Sequence, residues 1–130
     1  MLIVETYLNV SPGKGIGLFA KCDLIKGQKY WIRNEVFDKI IPASLLESFD
    51  KVAYNYVVEH GFLEKSGNWY LCCDNASFTN HSSNPNSENH FDSQGLILFI
   101  TASSYIYAGE EILCDYTDTC LTCQEGVNFE

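Results

Sequence analysis

Basic residues are scarce in this chain. Eight Lys and Arg stand against seventeen Asp and Glu, a net charge of -9, and no run of them could neutralise several phosphates at once, which argues against direct nucleic-acid binding. Long apolar runs are missing too: the longest, Leu96 to Ile100, falls far short of the roughly 20 residues a membrane helix needs. The opening MLIVETYLNV lacks a basic n-region, is broken by Glu5 and shows no cleavage pattern, so it reads as a strand and not as a signal peptide. Internal repeats, low-complexity tracts and linkers are absent as well. These absences predict one soluble intracellular domain, cytoplasmic or nuclear, with neither membrane nor nucleic acid among its partners.

What is present suffices for one core: 46% of the residues are hydrophobic and 14% aromatic, outside the range of disordered chains. The acidic field favours cationic ligands, which suits a basic protein or peptide as partner. Six cysteines (Cys22, Cys72, Cys73, Cys114, Cys120, Cys123) without an export signal are expected to stay reduced. Cys22, Cys72, Cys73 and Cys114 sit in apolar, strand-like segments, where Cys acts as a small core hydrophobe.

Short apolar runs alternate with turn residues from end to end, so the chain is expected to be mainly β with a few short helices. The expected strands are Leu2 to Asn9, Leu18 to Cys22, Gln28 to Arg33, Val52 to Val58, Asn68 to Cys73, Leu96 to Thr101 and Glu111 to Leu113. Val52, Tyr54, Tyr56 and Val58 alternate with the period of a half-buried strand, although a short helix also fits. Between Ile41 and Phe49 a helix is expected, started by Pro42 and capped by the Ser44/Glu47 box. The Asn- and Ser-rich stretch from Ser77 to Asn89 favours irregular backbone held by side chains.

Three constellations could carry chemistry. The first, Gly13-Lys14-Gly15-Ile16-Gly17-Leu18-Phe19-Ala20, places glycines at alternate positions between strands, so a ligand can approach the backbone closely. It is no phosphate-binding loop, because no helix follows. The second, Phe78-Thr79-Asn80-His81-Ser82-Ser83-Asn84-Pro85-Asn86, offers amide and imidazole groups that can knit a loop or grip a polar ligand. No second His or carboxylate stands at a recognisable metal-ligand spacing beside His81. The third, Gly109-Glu110-Glu111-Ile112-Leu113-Cys114-Asp115-Tyr116, is a turn feeding a strand that ends in Asp-Tyr.

Together and in this order, GKGIGLFA, FTNHSSNPN and GEEILCDY resemble the motifs of the SET-domain family, over roughly residues 3 to 118. The resemblance implies a SET fold of small curved β-sheets with a C-terminal pseudoknot, formed by residues 1–118 with 119–130 as a short tail. It also implies a protein-lysine methyltransferase that uses S-adenosylmethionine and releases S-adenosylhomocysteine. By position, backbone groups around Lys14, Gly15 and Ile16, with Asn80 and His81, would hold the cofactor. Tyr116 would be the catalytic tyrosine. A second active-site tyrosine falls on Tyr54, with Tyr56 as the competing choice, and Cys114 falls where the family governs the number of methyl groups added. Histones and ribosomal proteins are substrates of suitable charge. The alternative is a SET fold without catalysis, acting as a peptide-binding or scaffolding module.

Two departures from the family pattern stand out. Ser83 replaces the Cys that joins a zinc cluster in relatives, and Cys120 and Cys123 supply only two ligands where a closed site needs four, so no zinc is expected within one chain. The missing segment usually walls the lysine channel; a second copy, in a homodimer, or Phe129 and the tail could supply that wall.

Overall fold

The computed structural model describes residues 1–119; Cys120, Cys123, Phe129 and the rest of the tail lie outside the described residues. Among the described residues ten strands and three helices follow in the order β1 (Thr6–Ser11), β2 (Gly15–Ala20), β3 (Lys29–Ile32), β4 (Lys39–Pro42), α1 (Ala43–Leu46), α2 (Lys51–His60), β5 (Phe62–Leu63), β6 (Asn68–Leu71), β7 (Asn80–His81), β8 (Ser87–Phe91), β9 (Ile97–Ala102), β10 (Leu113–Cys114) and α3 (Tyr116–Thr119), with a 3-10 turn at Asn75–Phe78. They form four small sheets: the hairpin β1-β2, the triplets β3-β9-β8 and β4-β6-β5, and the pair β10-β7. All ladders are antiparallel except β7 with β10, which is parallel.

Alternation along β6 explains how two cores meet. Adjacent strand residues face opposite ways, so Tyr70 enters the main core with Leu18, Tyr30, Trp31, Ile97, Ile106 and Ile112. Trp69 enters a second cluster with Ile41, Leu46 and Val57. Tyr70 stacks on Phe62 at 5.3 Å and meets Trp31 edge-on at 5.6 Å; burial, followed by its bond to Asp38, raises its pKa above the ordinary phenol value.

The mainly β architecture is the expected one, with several local corrections. Val52 to Val58 is not a strand but the middle of α2. Both edges of β6 are taken, by β4 and β5, so this stretch has no ladder to join there and satisfies its backbone internally. Only Val57 of α2 is buried, while Val52, Tyr54 and Tyr56 are 85%, 38% and 47% exposed. The expected helix after Ile41 shrinks to α1 because Ile41 and Pro42 pair in β4. The Ser44/Glu47 box does not form: Pro42 occupies the cap position and no side chain caps the helix. Leu2 makes only an isolated bridge to Trp31, so β1 starts at Thr6. The polar stretch Ser77 to Asn89 is more regular than expected, since it contains β7 and the start of β8. Of the four described cysteines only Cys114 is buried; Cys22 and Cys73 are exposed, against the core role expected for them, and Cys72 is partly buried.

The pseudoknot is visible as hydrogen bonds on both sides of one strand. On one side β10 runs parallel to β7, pairing Leu113 with Asn80 and Cys114 with His81, and the Ser82 N–H donates to the Cys114 carbonyl at 2.9 Å. On the other, Asn86 donates to the Glu111 carbonyl and accepts from the Leu113 N–H, both at 2.8 Å, while the Ser87 hydroxyl donates to the Leu113 carbonyl at 2.6 Å. Residues 80–87 thus wrap around residues 111–114. Among the described residues no helix is long and apolar enough to cross a membrane.

Candidate active site

The three sequence motifs converge on this knot. The hairpin turn from Ser11 to Gly15 closes with a Lys14 N–H to Ser11 carbonyl bond of 2.9 Å, and Gly15 has a φ of 78° that other residues rarely adopt. From the turn, the Lys14 ammonium donates to the His81 carbonyl. The Asn80 Nδ2 amide donates twice, to the Ile16 carbonyl and to Glu111 Oε2, each at 3.1 Å. Motifs one, two and three are therefore joined through a single amide.

Gly17 makes that junction possible. A Cβ there would lie 2.7 Å from Glu111 Oε2 and 3.1 Å from Asn80 Nδ2, closer than packed atoms tolerate. Gly17→Ala is expected to push Glu111 away from Asn80 and cost about 1–3 kcal/mol, as overpacked sites do. Urea unfolding of the variant measures this; an unchanged midpoint would show that the junction can relax.

The other half of the site surrounds Tyr116. Its N–H donates to His81 Nδ1 at 3.0 Å, which places the imidazole proton on Nε2; Asp115 Oδ1, 3.7 Å from the same nitrogen, is a neighbour and not an ion-pair partner in that tautomer. The Tyr116 hydroxyl donates to the Thr79 carbonyl, and the Tyr116 and His81 rings stand 5.4 Å apart. Cys114 lies behind them, 8% exposed, its thiol 3.8 Å from the Asn80 carbonyl. Beneath it burial, reinforced by Cys114, raises the pKa of Tyr30 above its ordinary value, so this phenol stays neutral.

Lys14, Gly15, Ile16, Asn80, His81, Cys114 and Tyr116 thus come together, as the motif order implied. Tyr54 and Tyr56 sit on α2, not on a strand. Tyr56 reaches toward the site through rings: it lies 4.6 Å from His60, which lies 4.9 Å from Phe78. The Tyr54 N–H donates to the Asp50 carbonyl at 2.9 Å, but its side chain makes no ring contact or hydrogen bond among the described residues. Sequence reasoning missed Glu111, Asn86 and His60. The first two stood inside quoted motifs, Glu111 read as the start of a strand and Asn86 as part of an irregular loop, and His60 carried no signal because it lay just past the expected strand Val52 to Val58. No group of three or more metal-holding side chains occurs among the described residues.

With this geometry, a family comparison is decisive: the SET domain model matches residues 15–117. The chain belongs to the SET-domain family. It is 38% identical over 64 residues to the protein-lysine N-trimethyltransferase SMYD5 of Gallus gallus, a match covering 45% of this chain and 15% of that protein. The Plasmodium falciparum chain PFL0690c superposes with a TM-score of 0.58 at 19% identity, over 86% of this SET domain and 96% of that chain. A humanized mutant of Chaetomium thermophilum Polycomb Repressive Complex 2, bound to the inhibitor GSK126, gives 0.66 at 21% identity over 97% of this chain and 16% of its own. A ctPRC2 structure bound to S-adenosylmethionine gives 0.67 at 21%, over 94% and 16%. The present SET domain therefore spans only about one-sixth of SMYD5 and of the PRC2 chains.

Proposed function

We propose that this SET domain transfers methyl groups from S-adenosylmethionine to lysine side chains of basic proteins. The observation that carries the reading is the Tyr116 hydroxyl on the Thr79 carbonyl, next to the Asn80–His81 strand that Lys14 and Ile16 bind from the glycine turn.

The residues fit the cofactor. Asn80 Nδ2 is spent on Ile16 and Glu111, and its Oδ1 has no partner among the described residues, so an acceptor remains for the amino group of a methionine moiety. A Cβ at Gly15 would meet nothing within 4 Å, so the turn is open for a ligand to lie against. Backbone groups of Lys14, Gly15 and Ile16, with Asn80 and His81, would hold the molecule, which when bound supplies an electrophilic sulfonium methyl.

The chain's own residues then prepare the nucleophile. A lysine ammonium, with a reference pKa of about 10.4, has no lone pair until it loses a proton, and desolvation beside aromatic rings lowers that pKa. No strong general base is needed. Because its proton is given to Thr79, the Tyr116 oxygen is left to accept from the amine N–H and turn the lone pair toward the methyl, which is catalysis by orientation and electrostatics. Cys114, small and buried, leaves room for di- or trimethylation, in keeping with the trimethyltransferase name of the Gallus gallus relative. The charge of -9 favours histones or other basic proteins.

Incubation with isotopically labelled S-adenosylmethionine and either core histones or a basic cell extract tests this, with mass spectrometry of the labelled peptides. Di- and trimethyl-lysine is the expected product. Cofactor binding without label in any protein would instead indicate a peptide-binding module.

A further inference from the structure

His60 is absent from all three motifs, yet its contacts lead to the Tyr116 hydroxyl. It occupies the last turn of α2, whose end is fixed tightly against β6. The Gly61 N–H donates to the Val57 carbonyl at 2.7 Å, and a Cβ at Gly61 would lie 2.7 Å from that oxygen and 3.0 Å from the Tyr70 carbonyl. The helix can end here only because residue 61 has no side chain. Its last turn thereby presents the imidazole between Tyr56, four residues back and on the same helical face, and Phe78.

The ring is also fixed in its plane. His60 Nδ1 stands 3.1 Å from the Ser77 carbonyl, and a carbonyl only accepts, so Nδ1 carries the proton. Two residues later the Thr79 carbonyl takes the Tyr116 hydroxyl. Alternate carbonyls of the tripeptide Ser77-Phe78-Thr79 are therefore held by side chains from two distant segments, with the Phe78 ring packed on His60 between them. Asn80 follows at once.

We propose that His60 is a positioning residue of the methyl-transfer site: by holding the Ser77 carbonyl and the Phe78 ring it sets the Thr79 carbonyl, and through it the Tyr116 hydroxyl. The inference rests on the methyltransferase reading for its effect on rate, but the coupling of His60 to Thr79 and Tyr116 is a property of the folded chain alone.

Two variants separate the hydrogen bond from the ring. His60→Phe keeps the stack and loses the donor; His60→Asn loses the stack and keeps a donor, its Nδ2 taking the place of Nδ1. The expected result is a fall in kcat of about tenfold to a hundredfold for His60→Phe, the scale at which misplacement of about 1 Å slows catalysis, with KM and cofactor affinity unchanged. His60→Asn is expected to recover most of the rate. Wild-type kcat in His60→Phe, or equal slowing in both variants, would overturn the proposal. A second readout needs no turnover: in amide NMR spectra of the cofactor-free protein, His60→Phe should shift Thr79, Asn80 and Tyr116, and His60→Asn should return them toward wild type. Unmoved resonances overturn the positioning role, whereas shifted resonances in a protein that transfers no methyl would count against the methyltransferase reading and leave the coupling standing.

Discussion

Tyr116→Phe should reduce methyl transfer at least about a hundredfold, in the range lost when a transition-state hydrogen-bonding group is removed, while S-adenosylmethionine binds as before. The separation follows from which atoms Tyr116 uses. Its backbone N–H holds His81 Nδ1, and the substitution leaves that bond in place, together with the ring packing on His81. Only the hydroxyl, and with it the tie to the Thr79 carbonyl, is lost. Single-turnover transfer and calorimetry on the same preparation check both halves. Transfer at the wild-type rate would remove Tyr116 from the chemistry.

Glu64→Ala should cost about 3–5 kcal/mol, the usual result of stripping one partner from a buried ion pair. Arg33 grips Glu64 with two bonds of 2.8 and 2.9 Å, and the Glu64 side chain is only 2% exposed. The guanidinium also lies over the Tyr70 ring at 4.6 Å and donates to the Ile97 carbonyl at 3.3 Å, so it stays largely buried after Glu64 is gone, with only the exposed Glu35 carboxylate, 3.2 Å away, left to pair with it. Against a typical total of about 5–15 kcal/mol, this loss removes much of the folded population. The double variant Arg33→Met/Glu64→Leu should recover a large part of it, because the buried charge goes with its partner. Urea unfolding midpoints decide: a loss below about 1 kcal/mol for Glu64→Ala would class the pair with exposed ones.

The residues that were legible in the sequence are those whose chemistry is local. A glycine turn, an Asn-His strand and a Glu-Glu turn ending in Asp-Tyr keep their meaning at short range, and their resemblance to one family supplied the knot that joins them. The parallel pairing of β7 with β10 involves only two residues per strand, too few to leave a pattern. The strand β8 (Ser87–Phe91) is polar because it lies at the edge of its sheet, where solvent meets one side, so its composition read as loop. Val52 to Val58 failed differently. Its period of two came from residues left exposed around a helix that anchors itself through Val57, and burial, not periodicity, decided the outcome. That error also hid His60, because the expected strand stopped at Val58, whereas the helix runs on to His60.

Calorimetric titration of S-adenosylmethionine into wild type and Asn80→Ala tests the central claim most directly. Saturable binding at one site per chain in the wild type, lost or strongly weakened in a folded Asn80→Ala, is the result this account predicts. No binding to the folded wild type, or equal binding by both proteins, would contradict the assignment of the Asn80 junction as the cofactor site.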